Sequence, residues 1–183
     1  MHWKNTLSKY GTIAKSFHWV MALLIIGMLC VGFYMTSSEK TLSIIKLYAT
    51  HKSIGMTILF LAVLRLLWRW MNPVPPLPDT MPKWQHRGAH LSHYALYFLM
   101  FAMPVVGWLM SSSVGFGVSV YGWFTLPPLI STHKEWTDSL RLLHWLGSWA
   151  LAILIGLHAL AALYHHFFQH DSVLRRMLPF GKD

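Results

Sequence analysis

Cysteine and charge are what this 183-residue chain has least of. Its single cysteine, Cys30, excludes an intramolecular disulfide; set in an apolar run, it reads as an ordinary helix-packing residue. Only 11% of residues are charged against 55% hydrophobic and 15% aromatic, which excludes an ordinary soluble domain. Internal repeats and low-complexity segments do not stand out. Nor is there a small-x-small cleavage pattern after the first apolar stretch, where Thr36-Ser37-Ser38-Glu39-Lys40 follows, so that stretch reads as a retained span rather than a signal peptide.

Long apolar runs are what the chain has in abundance. Four stretches, at about 17–35, 48–71, 89–112 and 140–168, are each long enough to cross a bilayer. The expectation is one all-α integral membrane domain over residues 1–183, a four-transmembrane-helix bundle with no separate soluble domain. The formal charge of +9 invites a nucleic-acid reading, but its placement argues for topology instead. Lys4, Lys9 and Lys15 precede the first helix, Arg69, Lys83 and Arg87 flank the second connection, and Arg175, Arg176 and Lys182 follow the fourth helix. The opposite loops carry Lys40, Lys46 and Lys134 diluted by Glu39, Glu135 and Asp138. The positive-inside rule then puts both termini in the cytoplasm, with loops at about 37–47 and 113–138 facing out.

The connection Asn72-Pro73-Val74-Pro75-Pro76-Leu77-Pro78 reads as a stiff, polyproline-like cytoplasmic strap. The aromatic second outer loop, with Phe116, Tyr121, Trp123, Phe124 and Pro127-Pro128, reads as a lid lying on the outer surface. Trp19, Trp68, Trp84, Trp108 and Trp145 fit interfacial belts.

Histidine carries the chemistry. His144 and His158 lie fourteen residues apart on the fourth span, so they share a face at depths roughly 21 Å apart. Titratable groups at such depths need partners. Alternating helix directions put His18 at the inner level and His51 at the outer one, so the depth-matched pairs are His18 with His158 and His51 with His144. A lone interfacial histidine is more often a headgroup or packing contact, and four ligands in two layers cannot build one zinc tetrahedron. Two bis-histidine haems, one near each membrane surface, account for all four residues. Without a CxxCH motif these are b-type, and with both iron faces closed they pass electrons rather than bind oxygen. The same histidines in a haem-free metal transporter predict a colourless protein.

The chain resembles the bacterial cytochrome b561 family over essentially its whole length. The resemblance rests on Phe17-His18-Trp19, His51-Lys52-Ser53-Ile54-Gly55, Arg65-Leu66-Leu67-Trp68-Arg69, Ala89-His90-Leu91-Ser92-His93, Pro104-Val105-Val106-Gly107, and Gly156-Leu157-His158 with Tyr164-His165-His166. It implies a four-helix di-haem protein of the bacterial inner membrane. The family's best-understood reaction is that of a superoxide oxidase, which takes electrons from superoxide at the periplasmic face and gives them to ubiquinone.

The remaining polar residues are read against that reaction. Arg65, fourteen residues after His51, shares its face one level lower and reads as a propionate or quinone contact, with snorkelling to headgroups as the alternative. Lys52 and Arg141 flank the outer ligands; they read either as holding propionates and focusing a small anion, or as plain interfacial cations. His165 and His166 end the fourth helix on the inner side; His165, two turns past His158 and on roughly its face, is the better candidate proton exchanger for quinone reduction, with a headgroup contact as the alternative. His86, His90 and His93 form an i, i+4, i+7 stripe that has no evident fourth ligand for zinc; His90 and His93 read as a quinone-site or haem-edge pair, or as inert surface. His2, His133 and His170 read as solvated. The partners expected are membrane lipid, ubiquinone and a small anionic donor, with no nucleic acid. The chain stops fifteen residues after its last apolar stretch and reads as self-contained, without need of a protein partner. The competing reading is a non-catalytic electron-transfer subunit of a hydrogenase- or dehydrogenase-type complex.

Overall fold

The computed structural model describes residues 3–179; His2 and Lys182, read above as solvated and as part of the topogenic charge, lie outside the described residues. The four apolar stretches become α1 (Thr12–Ser37), α2 (Leu42–Met71), α3 (Lys83–Ser113) and α4 (Lys134–Phe167). Each helix is long and apolar enough to cross a membrane. All four start before the apolar stretch does, because the backbone hydrogen-bond ladder continues through polar turns such as Lys83–Gly88 that hydropathy does not register. Thr41 caps α2 by accepting from the Ile44 amide at 3.4 Å.

In the bundle α1 packs along α2, α2 along α3 and α3 along α4, while α1 and α4 are the most loosely packed of the four neighbouring pairs. Its dry centre is Met21, Ile25, Ile58, Ala62, Met100 and Leu151. Ile25, Ile58 and Leu151 each lie seven residues from a histidine on their own helix, so this core falls midway between the two histidine levels. Outward faces carry large exposed apolar side chains such as Leu23, Leu91, Phe98 and Leu160, a surface suited to lipid and costly in water. Cys30 belongs to that surface: it is exposed, not packed between helices, because α1 turns it away from α2.

The loop expected to be irregular folds into a two-stranded hairpin, β1 (Val118–Val120) and β2 (Phe124–Leu126), paired antiparallel with Val118 opposite Leu126. It turns through Tyr121 (φ 52°) and Gly122 (φ 75°), closed by the Trp123 amide donating to the Val120 carbonyl at 3.0 Å. Two positive φ angles suit the twist of a tight hairpin; at Tyr121 the left-handed conformation costs roughly 1–2 kcal/mol. Gly117 admits no side chain, since a Cβ there would stand 2.5 Å from the Leu126 carbonyl oxygen.

A buried serine triplet ends α3 and holds this loop. Ser112 Oγ accepts from the Leu129 amide at 3.0 Å, and Ser113 Oγ lies 2.9 Å from Thr137 Oγ1. At the opposite end of the bundle, Trp19 Nε1 donates to the Met177 carbonyl at 2.8 Å, Lys15 Nζ to Leu178 at 3.0 Å, and Arg176 to Pro76 at 2.7 Å. Asn5 Nδ2 donates to the Pro73 carbonyl at 2.9 Å. The proline strap is thus tied to segments from both ends of the chain. We refer to the hairpin end and the strap end of the bundle.

Candidate functional site

Helix periodicity and antiparallel packing bring four histidines into two facing pairs. At the hairpin end, the His51 and His144 ring centres lie 6.4 Å apart at 71°; at the strap end, those of His18 and His158 lie 6.2 Å apart at 52°. Two imidazoles sharing one metal ion would set their centres about 6 Å apart, from metal–nitrogen bonds of about 2 Å and roughly 1.1 Å between nitrogen and ring centre. Both pairs fit a single bridging iron.

The hairpin-end pair lines a cavity of about 600 Å³. Its walls are apolar, with Met28, Met56 and Met103 among them, and Gly32, Gly55 and Gly107 bring backbone close to it. A Cβ on Gly107 would sit 3.4 Å from His144 Cε1, and one on Gly32 3.6 Å from His51 Cε1. The Nδ1 atoms of His51 and His144 are buried without a hydrogen-bond partner. A flat apolar macrocycle held through two imidazole nitrogens fits this chemistry and this space; a bare ion does not, since no cluster of three or more metal-binding side chains occurs among the described residues.

Cations gather at the cavity rim. Lys52 Nζ donates to Ser111 Oγ at 3.0 Å and has no carboxylate partner among the described residues. Arg141 also lines the cavity, but it is exposed and paired to Asp138 at 2.7 Å, so its attraction for an anion is offset locally by that carboxylate. Sequence reasoning missed Lys40 and Tyr48 on the same rim, where Lys40 Nζ donates to the Tyr48 hydroxyl at 2.8 Å. Lys40 lies in the short α1–α2 connection, which helix periodicity does not describe, whereas Tyr48 stands on α2 three residues before His51, a spacing that could have found it.

At the strap end, Arg65 reaches across from α2 and places a guanidinium nitrogen 3.2 Å from His18 Nδ1. Guanidinium only donates, so His18 Nδ1 accepts and its proton sits on Nε2. Iron on Nε2 would move that proton to Nδ1, and Arg65 would then need another acceptor, such as a carboxylate on the cofactor's edge. Arg65 and Arg69 also stand over the Tyr97 ring, at 5.4 and 5.8 Å. Nearby Tyr10, ahead of α1, is largely buried, and that burial raises its phenol above the ordinary value, partly offset by the Arg69 charge.

The α3 stripe divides. His93 packs against His158 with ring centres 5.5 Å apart, whereas His86 and His90 are exposed, and His90 stacks on Tyr94 instead of approaching the pair. Positions three apart on a helix diverge by about 60°, enough to separate His90 from His93. His165 meets the segment that follows α4. It is buried, and its Nδ1 lies 2.5 Å from Asp171 Oδ2, on the segment that turns back after α4. Sequence reasoning missed Asp171 because that reversal, completed at His170 with φ 52°, lies beyond the helix. His133, read as solvated, is partly covered: it stacks on Trp136 at 4.6 Å and bonds Glu135. His170 is exposed.

Four membrane-length helices carrying paired, facing histidines in two layers are the arrangement expected of a membrane cytochrome of the b type. Comparison with known proteins agrees: residues 9–180 match the family model described as prokaryotic cytochrome b561, and the chain belongs to that family. It is 37% identical over 180 residues to cytochrome b561 homolog 2 of Escherichia coli (strain K12), covering 97% of this chain and 95% of that protein. It is 31% identical over 180 residues to the probable superoxide oxidase CybB of Yersinia pestis, covering 93% and 96%. Cytochrome b561 homolog 1 of Escherichia coli (strain K12) is 29% identical over 179 residues, covering 94% and 98%. The protein is therefore a multi-pass electron-transfer protein of the inner membrane, with b-type haem as its family's cofactor.

Proposed function

We propose that this cytochrome holds two b haems and oxidises superoxide at the periplasmic face while reducing ubiquinone on the cytoplasmic side. The reading rests above all on two imidazole pairs, at 6.4 and 6.2 Å, on opposite sides of one apolar core. The likeness to a probable superoxide oxidase supports the choice of donor. In balance, two superoxide anions each give up one electron and leave as dioxygen, and ubiquinone takes two electrons and two protons. A b haem in each pair supplies reversible one-electron chemistry.

The chain's own residues supply the rest. His51 and His144 hold one group at the hairpin end, which the charge bias makes periplasmic, and His18 and His158 hold the other. Lys52, with Lys40 beside it on the rim, draws a small anion toward the cavity. Arg141 adds less, being neutralised by Asp138. Arg65 anchors a carboxylate edge at the cytoplasmic pair, and His93 packs behind His158. His165 exchanges protons for quinone reduction, with Asp171 orienting its ring.

The test is pyridine haemochrome analysis of the detergent-purified protein, followed by superoxide-driven reduction of the cytochrome with and without added ubiquinone. Two b haems per chain and reoxidation by quinone are expected. One haem or none overturns the two-layer reading, and failure to be reduced by superoxide overturns the donor.

A further inference from the structure

The β1–β2 hairpin sits deeper than a surface lid, and its register against α2 gives the depth. The Tyr121 amide donates to Ser53 Oγ at 3.0 Å, and the Ser53 hydroxyl proton is shared between the Ser119 carbonyl and the Ala49 carbonyl of its own helix, each at 3.1 Å. One turn further along α2, Thr57 commits its proton to the Ser53 carbonyl, so the Tyr121 hydroxyl, 2.9 Å away, donates to Thr57 Oγ1. Thr57 adjoins Ile58, which belongs to the core midway between the histidine levels. Ser53 lies five residues from Ile58, about 7.5 Å along the helix. A hydrocarbon core is about 30 Å thick, or 15 Å on each side of its centre. Centred on the bundle's apolar core, the bilayer encloses the hairpin turn by about 7 Å.

Non-helical backbone survives at such depth only where protein satisfies it. Here α2 offers Ser53 and Thr57 to β1, the strands pair with each other, and the turn closes on itself. On its way out, β2 leads into Pro127 and Pro128, which have no amide proton to satisfy, and the Pro127 carbonyl takes the Trp108 indole N–H at 3.0 Å. Facing away from the bundle are Trp123, 82% exposed, with Phe124 and Phe116. An aqueous lid would hold these rings in water at high cost.

We propose that the hairpin is a re-entrant element whose aromatic tip binds the acyl-chain region of the leaflet at its end of the bundle. Its lipid-facing seat closes the flank of the His51–His144 cavity, leaving the polar rim as the way in. This inference does not depend on the identity of donor or acceptor.

A nitroxide on Trp123→Cys, in a Cys30→Ser background, tests it in vesicles of phosphatidylethanolamine and phosphatidylglycerol. Collision rates are measured with dioxygen, which enriches in lipid, and with a water-soluble nickel chelate. A second label on Ser131→Cys, in the exposed loop, is the aqueous reference. High dioxygen and several-fold lower nickel accessibility at 123 than at 131 are expected. Adding Ser53→Ala and Thr57→Val should raise nickel accessibility at 123. Nickel accessibility equal to that at 131 overturns the proposal, and exclusion of both reagents overturns it in favour of a second copy or another protein covering the tip. An unchanged visible haem spectrum shows that the labelled protein is folded.

Discussion

Removing ligands in pairs tests the histidine arrangement more stringently than removing them singly. The two levels are separated by fourteen residues of α4, roughly 21 Å, well beyond the distance at which substitutions couple. Each level should therefore lose its haem independently of the other. His144→Ala should lower haem content from two per chain to one, and His158→Ala should do the same. The decisive comparison is between two double variants. His51→Ala with His144→Ala empties one level and should keep one haem. His144→Ala with His158→Ala breaks both levels and should keep none. A single substitution leaves a buried imidazole facing an empty position, which costs on the order of 1–3 kcal/mol. The bundle should tolerate this, because its central core of Ile25, Ile58 and Leu151 is left unaltered, about two helical turns from each histidine. Pyridine haemochrome per chain is the assay, with reductive potentiometry to identify the remaining centre. A colourless same-level double, or a cross-level double that retains one haem, would refute the pairing.

Three further outcomes follow from the site. Lys52→Glu removes an unpaired rim cation and should slow superoxide-driven reduction about tenfold at low ionic strength, with the difference shrinking as salt is added; an unchanged rate and salt slope would exclude Lys52 from anion capture. Gly107→Phe fills space beside His144 and should cost the hairpin-end haem while leaving the other spectrum intact, whereas Gly107→Ala, whose Cβ meets His144 at ordinary contact distance, should keep both. Asp171→Asn removes the carboxylate from His165 and should slow quinone reduction while both haems stay bound, as should His165→Ala; loss of the strap-end haem in either variant would show a structural role instead.

Class, helix number and the histidine levels were legible in the sequence, because a bilayer demands long apolar helices and a helix converts residue spacing directly into depth and face. The resemblance carried by segments such as Phe17-His18-Trp19 led to the family on the same grounds. Tertiary structure decided what happens where the helical ladder stops. The chain reversal after α4 delivers Asp171 to His165, the α1–α2 turn sets Lys40 against Tyr48, and Asp138 neutralises Arg141. Rotation about α3 separates exposed His90 from His93 at the His158 ring. The aromatic loop reads in sequence as an interfacial lid because composition reports affinity for lipid and not depth. Its depth comes from Ser53 and Thr57, two hydroxyls on another helix that complete the hairpin's hydrogen bonds, a partnership that exists only once the chain has folded.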